Sequence, residues 1–298
     1  MISILIPTYN YNTLPLVEEL HRQAILERIE FEIIVADDAS PINENTEINS
    51  KINQISNCQF ERNKVNLGRG QNRNFLVQKA KYDSVLLMDC DTFPKDKNFI
   101  KTYIESLKNG NEKAIFGGII YYDKKPKDDE MLRWVFGKSR EEIPLSKRLS
   151  NPFHYALISN ILVQKEVLLS HPFDSEIFNY GYEDIVFILG LKREQIAIGH
   201  IENPAYHLNL EKSEVFLTKF HSSLQNLKLV LDKDIIHPQD TALTNIYVKL
   251  KRLHLVKTFA FGFKIFKNSF TKNLLSKNPS LFIFDMYRLG YFCQINSR

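Results

Sequence analysis

Several things are scarce in this chain, and each scarcity removes a class of protein. Its three cysteines, Cys58, Cys90 and Cys293, are scattered and odd in number among 298 residues. Such spacing offers neither a disulfide framework nor a zinc site, and it suits a reducing, cytoplasmic compartment. No apolar run reaches the roughly eighteen residues that a membrane helix needs. Residues 1–6 are apolar but stop at Pro7, too short for the core of a signal peptide. Repeats and low-complexity segments are missing, which excludes collagen-like and biased chains. Acid is nearly absent from one end. Residues 241–298 carry ten Lys or Arg against one acid, Asp285, while residues 1–240 carry 29 basic and 34 acidic residues. The net charge of +4 therefore hides a mildly acidic body and a basic, aromatic-rich tail. Uneven charge of this kind speaks of partners rather than of fold.

What is present is a hydrophobic content of 44%, enough for one large core or two smaller ones. Residues 2–6 read as a buried strand ended by Pro7. A helix follows, with Leu14, Val17, Leu20, Ala24 and Ile25 at helical spacing. Residues 31–36 form the next strand, closing on the turn signal Asp37-Asp38-Ala39-Ser40-Pro41. The loop Asn66-Leu67-Gly68-Arg69-Gly70 leads into a helix over 71–81, and 85–88 is an apolar strand ending in Asp89-Cys90-Asp91. Another helix carries Phe99, Ile100, Tyr103 and Leu107, and 114–122 is again a strand. Strands alternating with single helices predict an α/β domain with a mainly parallel sheet.

Ligands of open α/β sheets bind outside the carboxyl ends of the strands. Asp37, Asp38, Asp89 and Asp91 all fall at such ends. Asp89 and Asp91, two positions apart, share a face if the strand continues. Like charges at the edge of a core need compensation, by exposure in a turn or by a divalent cation shared with a phosphorylated ligand. The charge-dense segment 123–150, with the only tryptophan, Trp134, is expected to be a substrate-facing lid or a surface excursion. Glu183 and Asp184 open a helix carrying Ile185 and Leu189, where acids favour the dipole by simple capping. His207 follows a Pro-containing loop, and Phe216, Phe220, Leu224, Leu227 and Leu231 form a helical core stripe.

The order of motifs resembles glycosyltransferase family 2. It runs from Ile4-Leu5-Ile6-Pro7-Thr8-Tyr9-Asn10 through Val35-Ala36-Asp37-Asp38-Ala39-Ser40 to Asn66-Leu67-Gly68 with Arg73-Asn74. Asp89-Cys90-Asp91, Gly181-Tyr182-Glu183-Asp184 and His207 then fall where the family has its Asp-x-Asp, Glu-Asp and metal-histidine motifs. The resemblance covers about residues 1–210. It implies a catalytic domain over 1–210 of GT-A (Rossmann-like) fold, a mixed, mainly parallel sheet flanked by helices. A C-terminal helical, basic-aromatic extension over 211–298 follows. It also implies an inverting transfer of sugar from a nucleotide-diphosphate donor, a UDP-sugar before others, to a hydroxyl of a glycan or lipid-linked acceptor in surface polysaccharide synthesis.

Site roles follow from the resemblance. Asp91 should ligate Mn²⁺ or Mg²⁺, with His207 completing the shell and Asp89 approaching the ribose or the metal. An imidazole ligand tilts the choice towards manganese. Thr8 and Tyr9, within the stretch that also holds Pro7 and Asn10, would contact the base, and Asp37 would accept from a ring N–H, with Asp38 beside it. Asn66 and Gly68 bring their loop close to the donor, and Arg73 would meet the base or the diphosphate. Asp184 should be the general base, and Glu183 should orient the acceptor or the base. Tyr182 stands where the family often has a small residue, which narrows the acceptor side. A sugar nucleotidyltransferase of the same fold is disfavoured because 7–12 has no glycine. A non-catalytic sugar-nucleotide-binding subunit is disfavoured by the intact acids. The tail suits the inner face of an anionic membrane, or plain packing on the catalytic domain, and carries no nucleic-acid module.

Overall fold

A computed structural model describes residues 1–110, 112–177 and 180–297. Phe178 and Asn179, which precede the Glu-Asp helix, lie outside the described residues. The strands are β1 (Ile2–Thr8), β2 (Phe31–Asp37), β3 (Cys58–Arg62), β4 (Ser84–Met88), β5 (Thr92–Pro94), β6 (Ala114–Phe116), β7 (Ile119–Ile120), β8 (Asn160–Gln164), β9 (Ile198–His200) and β10 (Ala205–His207). Among the described residues they form a seven-stranded sheet, β3-β2-β1-β4-β8-β6-β9, and a three-stranded one, β5-β10-β7. In the large sheet only β8 runs antiparallel to its neighbours, β4 and β6. The expected mixed, mainly parallel α/β architecture is what the chain adopts.

Every residue of β1 is buried, as expected for a central strand covered on both faces. Its near-continuous Ile/Leu run satisfies both faces at once. Helices Leu14–Leu26, Arg69–Lys79 and Phe99–Asn109 each turn apolar residues inward, Leu16, Val17 and Leu20 in the first of them. Parallel pairing sets Thr8 beside Asp37 and Asp37 beside Arg62, so the carboxyl ends of β1, β2 and β3 finish level.

The segment 114–122 differs from the single strand that its apolar run predicts. It breaks at Gly117-Gly118 and changes sheets, β6 serving the large sheet and β7 the small one. A Cβ at Gly117 would stand 2.5 Å from both the Asn203 carbonyl oxygen and the Tyr103 hydroxyl, and Gly118 has φ +104°. Only glycine makes this crossing without strain. Buried Asn160 seals it. Its amide donates to the carbonyls of Gly118 (2.8 Å) and Asn203 (3.0 Å), and its Oδ1 accepts from the Tyr103 hydroxyl (2.7 Å).

The chain divides into two compact units, the first being Met1–Tyr121, Glu141–Phe178 and Glu183–Asn209. The second gathers Tyr122–Arg140, Asn179–Tyr182 and Leu210–Arg298, so two stretches ahead of residue 210 cluster with the C-terminal helices. Within it, helices Met131–Arg140, Ser213–Asp232, Val256–Leu274 and Leu281–Ile295 surround an aromatic core, and Ala242–Arg252 is a further helix of the unit. Leu132, Phe216, Phe263, Phe284 and Tyr287 are its centre. The charge-dense 123–150 segment thus contributes Leu132 to a core, and the Leu132 amide donates to Ser213 Oγ. No helix among the described residues is long and apolar enough to cross a membrane.

Replacing Asn160 with Ala strands the Asn203 carbonyl, while the Gly118 carbonyl still accepts from the Ala205 amide and the Tyr103 hydroxyl still donates to the backbone carbonyl of residue 160. Urea denaturation should show a loss of about 1–3 kcal/mol, the cost of one buried group left without a partner.

Candidate active site

The site is built where β4 ends. After Met88 the chain turns tightly, since both the amide and the hydroxyl of Thr92 donate to the Asp89 carbonyl (3.1 and 2.7 Å). That turn starts β5, which pairs antiparallel with β10 in a register that sets His207 opposite Thr92. The Leu208 amide donates to the Asp91 carbonyl (2.8 Å), locking the two ends together. As a result His207 Nε2 lies 3.6 Å from Asp91 Oδ2. The His207 ring is backed by Tyr121, stacked at a centroid distance of 5.3 Å. The Tyr121 hydroxyl donates to Glu141, and the Tyr121 amide to Glu142 (2.8 Å).

Helix Arg69–Lys79 supplies the positive charge. It is entered through Gly68, with φ +80°, and the amides just ahead of it are met by an anion from the chain itself. Asp38 accepts from the amides of Leu67 (2.7 Å) and Gly68 (3.0 Å) and from the Asn63 side chain (3.1 Å). A carboxylate is favoured there by the unpaired N–H groups and the dipole of the helix. Arg69 and Arg73, four residues apart, share one face of that helix. Arg69 binds Asp89 and stands 3.6 Å from Glu183. Arg73 gives one nitrogen to Asp89 (3.0 Å) and another to Asp184 (2.5 Å), and its side chain is 1% exposed.

Two guanidiniums thus face three carboxylates. Burial would raise the Asp89 carboxyl, but Arg69 and Arg73, with His207 behind them, hold it below the usual carboxylate range. Glu183 moves the other way. Burial and the charge of Asp184 raise it against the pull of both arginines, and its Oε2 is buried without a hydrogen-bond partner. Tyr11 is pushed up to about 12 by burial and by Asp91, which shows how far the Asp91 charge is felt. Cys90 is likewise pushed up to about 12, by burial first and by Asp91 next.

Thr8 is buried at the end of β1, and Tyr9 beyond it is 54% exposed. Asn10 follows in the left-handed region, φ 49°, with its amide donating to Ser40 Oγ (2.7 Å). Asp37 is buried, accepts from Ser40, and has Arg62 3.4 Å away.

Several residues singled out in the sequence make close contacts within the protein itself. Arg73, expected against the base or diphosphate, is buried and spent on Asp89 and Asp184. Asp38, expected beside the base, has both oxygens committed to the 63–68 loop. Asn66 serves that loop too, donating to the Asp38 carbonyl (2.9 Å) and accepting from the Gly68 amide (3.1 Å). Glu183, expected to orient the acceptor or the base, is 3% exposed and lies against Arg69. Asp89, expected at the ribose or metal, has an arginine on each oxygen. Sequence reasoning passed over Arg69, Tyr11 and Tyr121. For Arg69 a signal existed, a cation four residues before Arg73.

Among the described residues no three His, Cys, Asp or Glu side chains gather as a metal cluster. The pair Asp91 and His207 still fits a divalent cation. One hard oxygen donor and one imidazole converge, and a cation that works on diphosphates takes its remaining ligands from phosphate oxygens and water.

An α/β domain with acids at the carboxyl edge of its sheet is the kind that handles phosphorylated ligands. The chain belongs to glycosyl transferase family 2, whose family model matches residues 3–169. Asp184 and His207 lie beyond that match. Among solved structures the chain is similar to residues 1–349 of TarS from S. aureus, at 20% identity and a TM-score of 0.52 over 77% of this chain and 65% of that one. It is similar to the mannosyltransferase PcManGT from Pyrobaculum calidifontis in complex with GDP-Man and Mn²⁺, at 14% identity and a TM-score of 0.55 over 78% and 64% of the two chains. It is also similar to glucosyl-3-phosphoglycerate synthase from Mycobacterium tuberculosis in complex with Mn²⁺ and UDP, at 18% identity and a TM-score of 0.51 over 76% and 79%. The likeness establishes the GT-A fold. This chain spans just under two thirds of the TarS and PcManGT chains. No curated protein sequence matches it.

The raised Glu183 carboxyl gives a pH test. A group raised on folding contributes stability below its unfolded pKa and loses it as pH rises through the folded value. Glu183→Gln should therefore raise Tm at pH 8 relative to the parent, and the gain should vanish towards pH 4. Thermal unfolding across that range checks it. Asp89 works in the opposite sense, losing its contribution as pH falls. Arg73→Met should cost about 3–5 kcal/mol, the range for breaking a buried pair, as measured by urea denaturation.

Proposed function

We propose that the protein is an inverting glycosyltransferase that moves a sugar from a nucleotide-diphosphate donor, a UDP-sugar before others, to a hydroxyl of a glycan or lipid-linked acceptor. The observation that carries this reading is Arg73, which ties Asp89 at the end of β4 to Asp184 in one buried contact. One side of that link faces the donor and the other the acceptor. Neighbours of the same fold hold UDP or GDP-Man together with Mn²⁺. Asp91 and His207 would hold Mn²⁺ or Mg²⁺, which when bound stabilises the negative charge developing on the departing diphosphate.

The chain's own residues do the rest. Tyr9 offers its exposed ring to the base, and Asp37 accepts from a ring N–H by exchanging its Ser40 contact. Thr8, Pro7 and Asn10 shape the same edge, and the 66–68 loop, fixed by Asp38, walls it. Asp89, clamped by two arginines, presents a fixed negative wall rather than a free ligand. Arg69 is the cation of this cluster with exposed surface, its side chain 32% exposed, and it is suited to a diphosphate oxygen. Arg73 fixes one oxygen of Asp184, whose side chain is 25% exposed. The other oxygen takes the proton as the acceptor hydroxyl attacks the anomeric carbon. The bond from that carbon to the diphosphate breaks on the opposite side, so the anomeric centre inverts. Glu183 is a positioning residue behind Arg69. The domain that does this is residues 1–210 in sequence, and the activity belongs with surface polysaccharide or glycoconjugate assembly.

A thermal-shift panel of UDP, GDP, CDP and dTDP, with and without Mn²⁺, tests the donor side. One nucleotide should stabilise the protein when metal is present, and silence from all four would sink the reading. Asp184→Asn keeps an oxygen for Arg73 but cannot take a proton. It should keep the nucleotide shift and lower kcat by roughly a hundredfold or more, and unchanged turnover would refute the base assignment.

A further inference from the structure

Helix Val256–Leu274 contains no acid, and its two faces differ sharply. Ala260, Phe263 and Leu274 are buried on one side, with Phe263 in the aromatic core of the second unit. On the other side Lys257, Phe261, Lys264, Ile265, Asn268 and Lys272 recur three and four residues apart, and all are exposed. Phe261 and Ile265 are 65% and 58% exposed, one turn apart. Phe261 and Ile265 form an exposed apolar pair, the kind of contiguous feature that marks an interaction site when it is polar-rimmed, and Lys257, Lys264 and Lys272 share their face.

We infer that this face of the helix docks the protein on an anionic lipid surface, with Phe261 and Ile265 entering the headgroup–acyl boundary. Lysine stems are long enough to lie along that boundary while their ammonium groups reach lipid phosphates. The preceding helix adds Lys249, Lys251 and Arg252, all exposed, near its end. Charge selects the occupant. A second copy would bring an identical positive stripe against this one, and like charges repel. A nucleic acid would satisfy the lysines but leave Phe261 and Ile265 against a charged backbone. An anionic bilayer satisfies both groups at once.

The test uses the full chain, sedimented with vesicles of phosphatidylcholine alone or with about a third phosphatidylserine. Partition into the anionic vesicles should be at least roughly tenfold the stronger. Because both side chains are exposed, the double variant Phe261→Ser, Ile265→Ser should keep the parent Tm and lose most of that partition. Equal partition into both vesicle types overturns the inference, as does a double variant that binds as well as the parent. A concentration-dependent dimer abolished by the double substitution would assign the face to a second copy and overturn it too. Single-stranded RNA binding abolished by that substitution would do the same.

Discussion

The guanidinium of Arg73 is the contact on which the site depends. A buried arginine needs partners for its charge and its N–H groups, and for Arg73 the chain supplies Asp89 and Asp184, drawn from distant parts of the sequence. Once the arginine is fixed, the rest follows. Asp89 is held ionised and immobile, and Asp184 is held by one oxygen with part of its side chain in the open. Glu183 becomes the surplus charge that burial drives towards its neutral form. Remove the arginine and two carboxylates lose the cation that orients them.

A second constraint is made of backbone alone. The crossing at Gly117-Gly118 lets β7 leave the large sheet, and β10 takes its place between β5 and β7. That three-stranded sheet brings Asp91 and His207 within 3.6 Å, although 116 positions separate them in the chain. A polar knot around Asn160 stabilises the crossing, and the β5–β10 register sets the two candidate metal ligands side by side. Asp38 likewise has a structural part, holding the loop that enters the helix carrying both arginines.

Much of the fold was legible. Buried parallel strands need apolar residues on both faces, and 2–6, 31–36 and 85–88 say so without ambiguity. Acids at strand ends were legible too, because a charge directly after a core strand has few explanations. What each acid binds was not. Asp38 and Asp91 look alike in sequence, yet one meets helix amides and the other a histidine, which depends on where the helix Arg69–Lys79 lies against the sheet. Arg73 read as a ligand-facing cation from the family resemblance, which does not tell which carboxylates its guanidinium meets within the chain. In the 123–150 segment Leu132 stood out as apolar among the charges, but spacing alone does not tell which core an apolar side chain joins.

The sequence by itself determined the α/β alternation, the acids at the carboxyl edge, the family and the basic, acid-poor end. Local rules suffice for these, since strand periodicity, turn chemistry and composition act over a few residues. The tertiary structure decided that Arg69 and Arg73 face inward and that Glu183 is buried. It also decided that Asp91 reaches His207, and that Phe261 and Ile265 stay in the open. Those outcomes depend on register, sheet crossing and helix placement, which join residues far apart in the chain. The acids that follow β4 are the centre of the site, with Asp91 turned to His207 and Asp89 closed between two arginines.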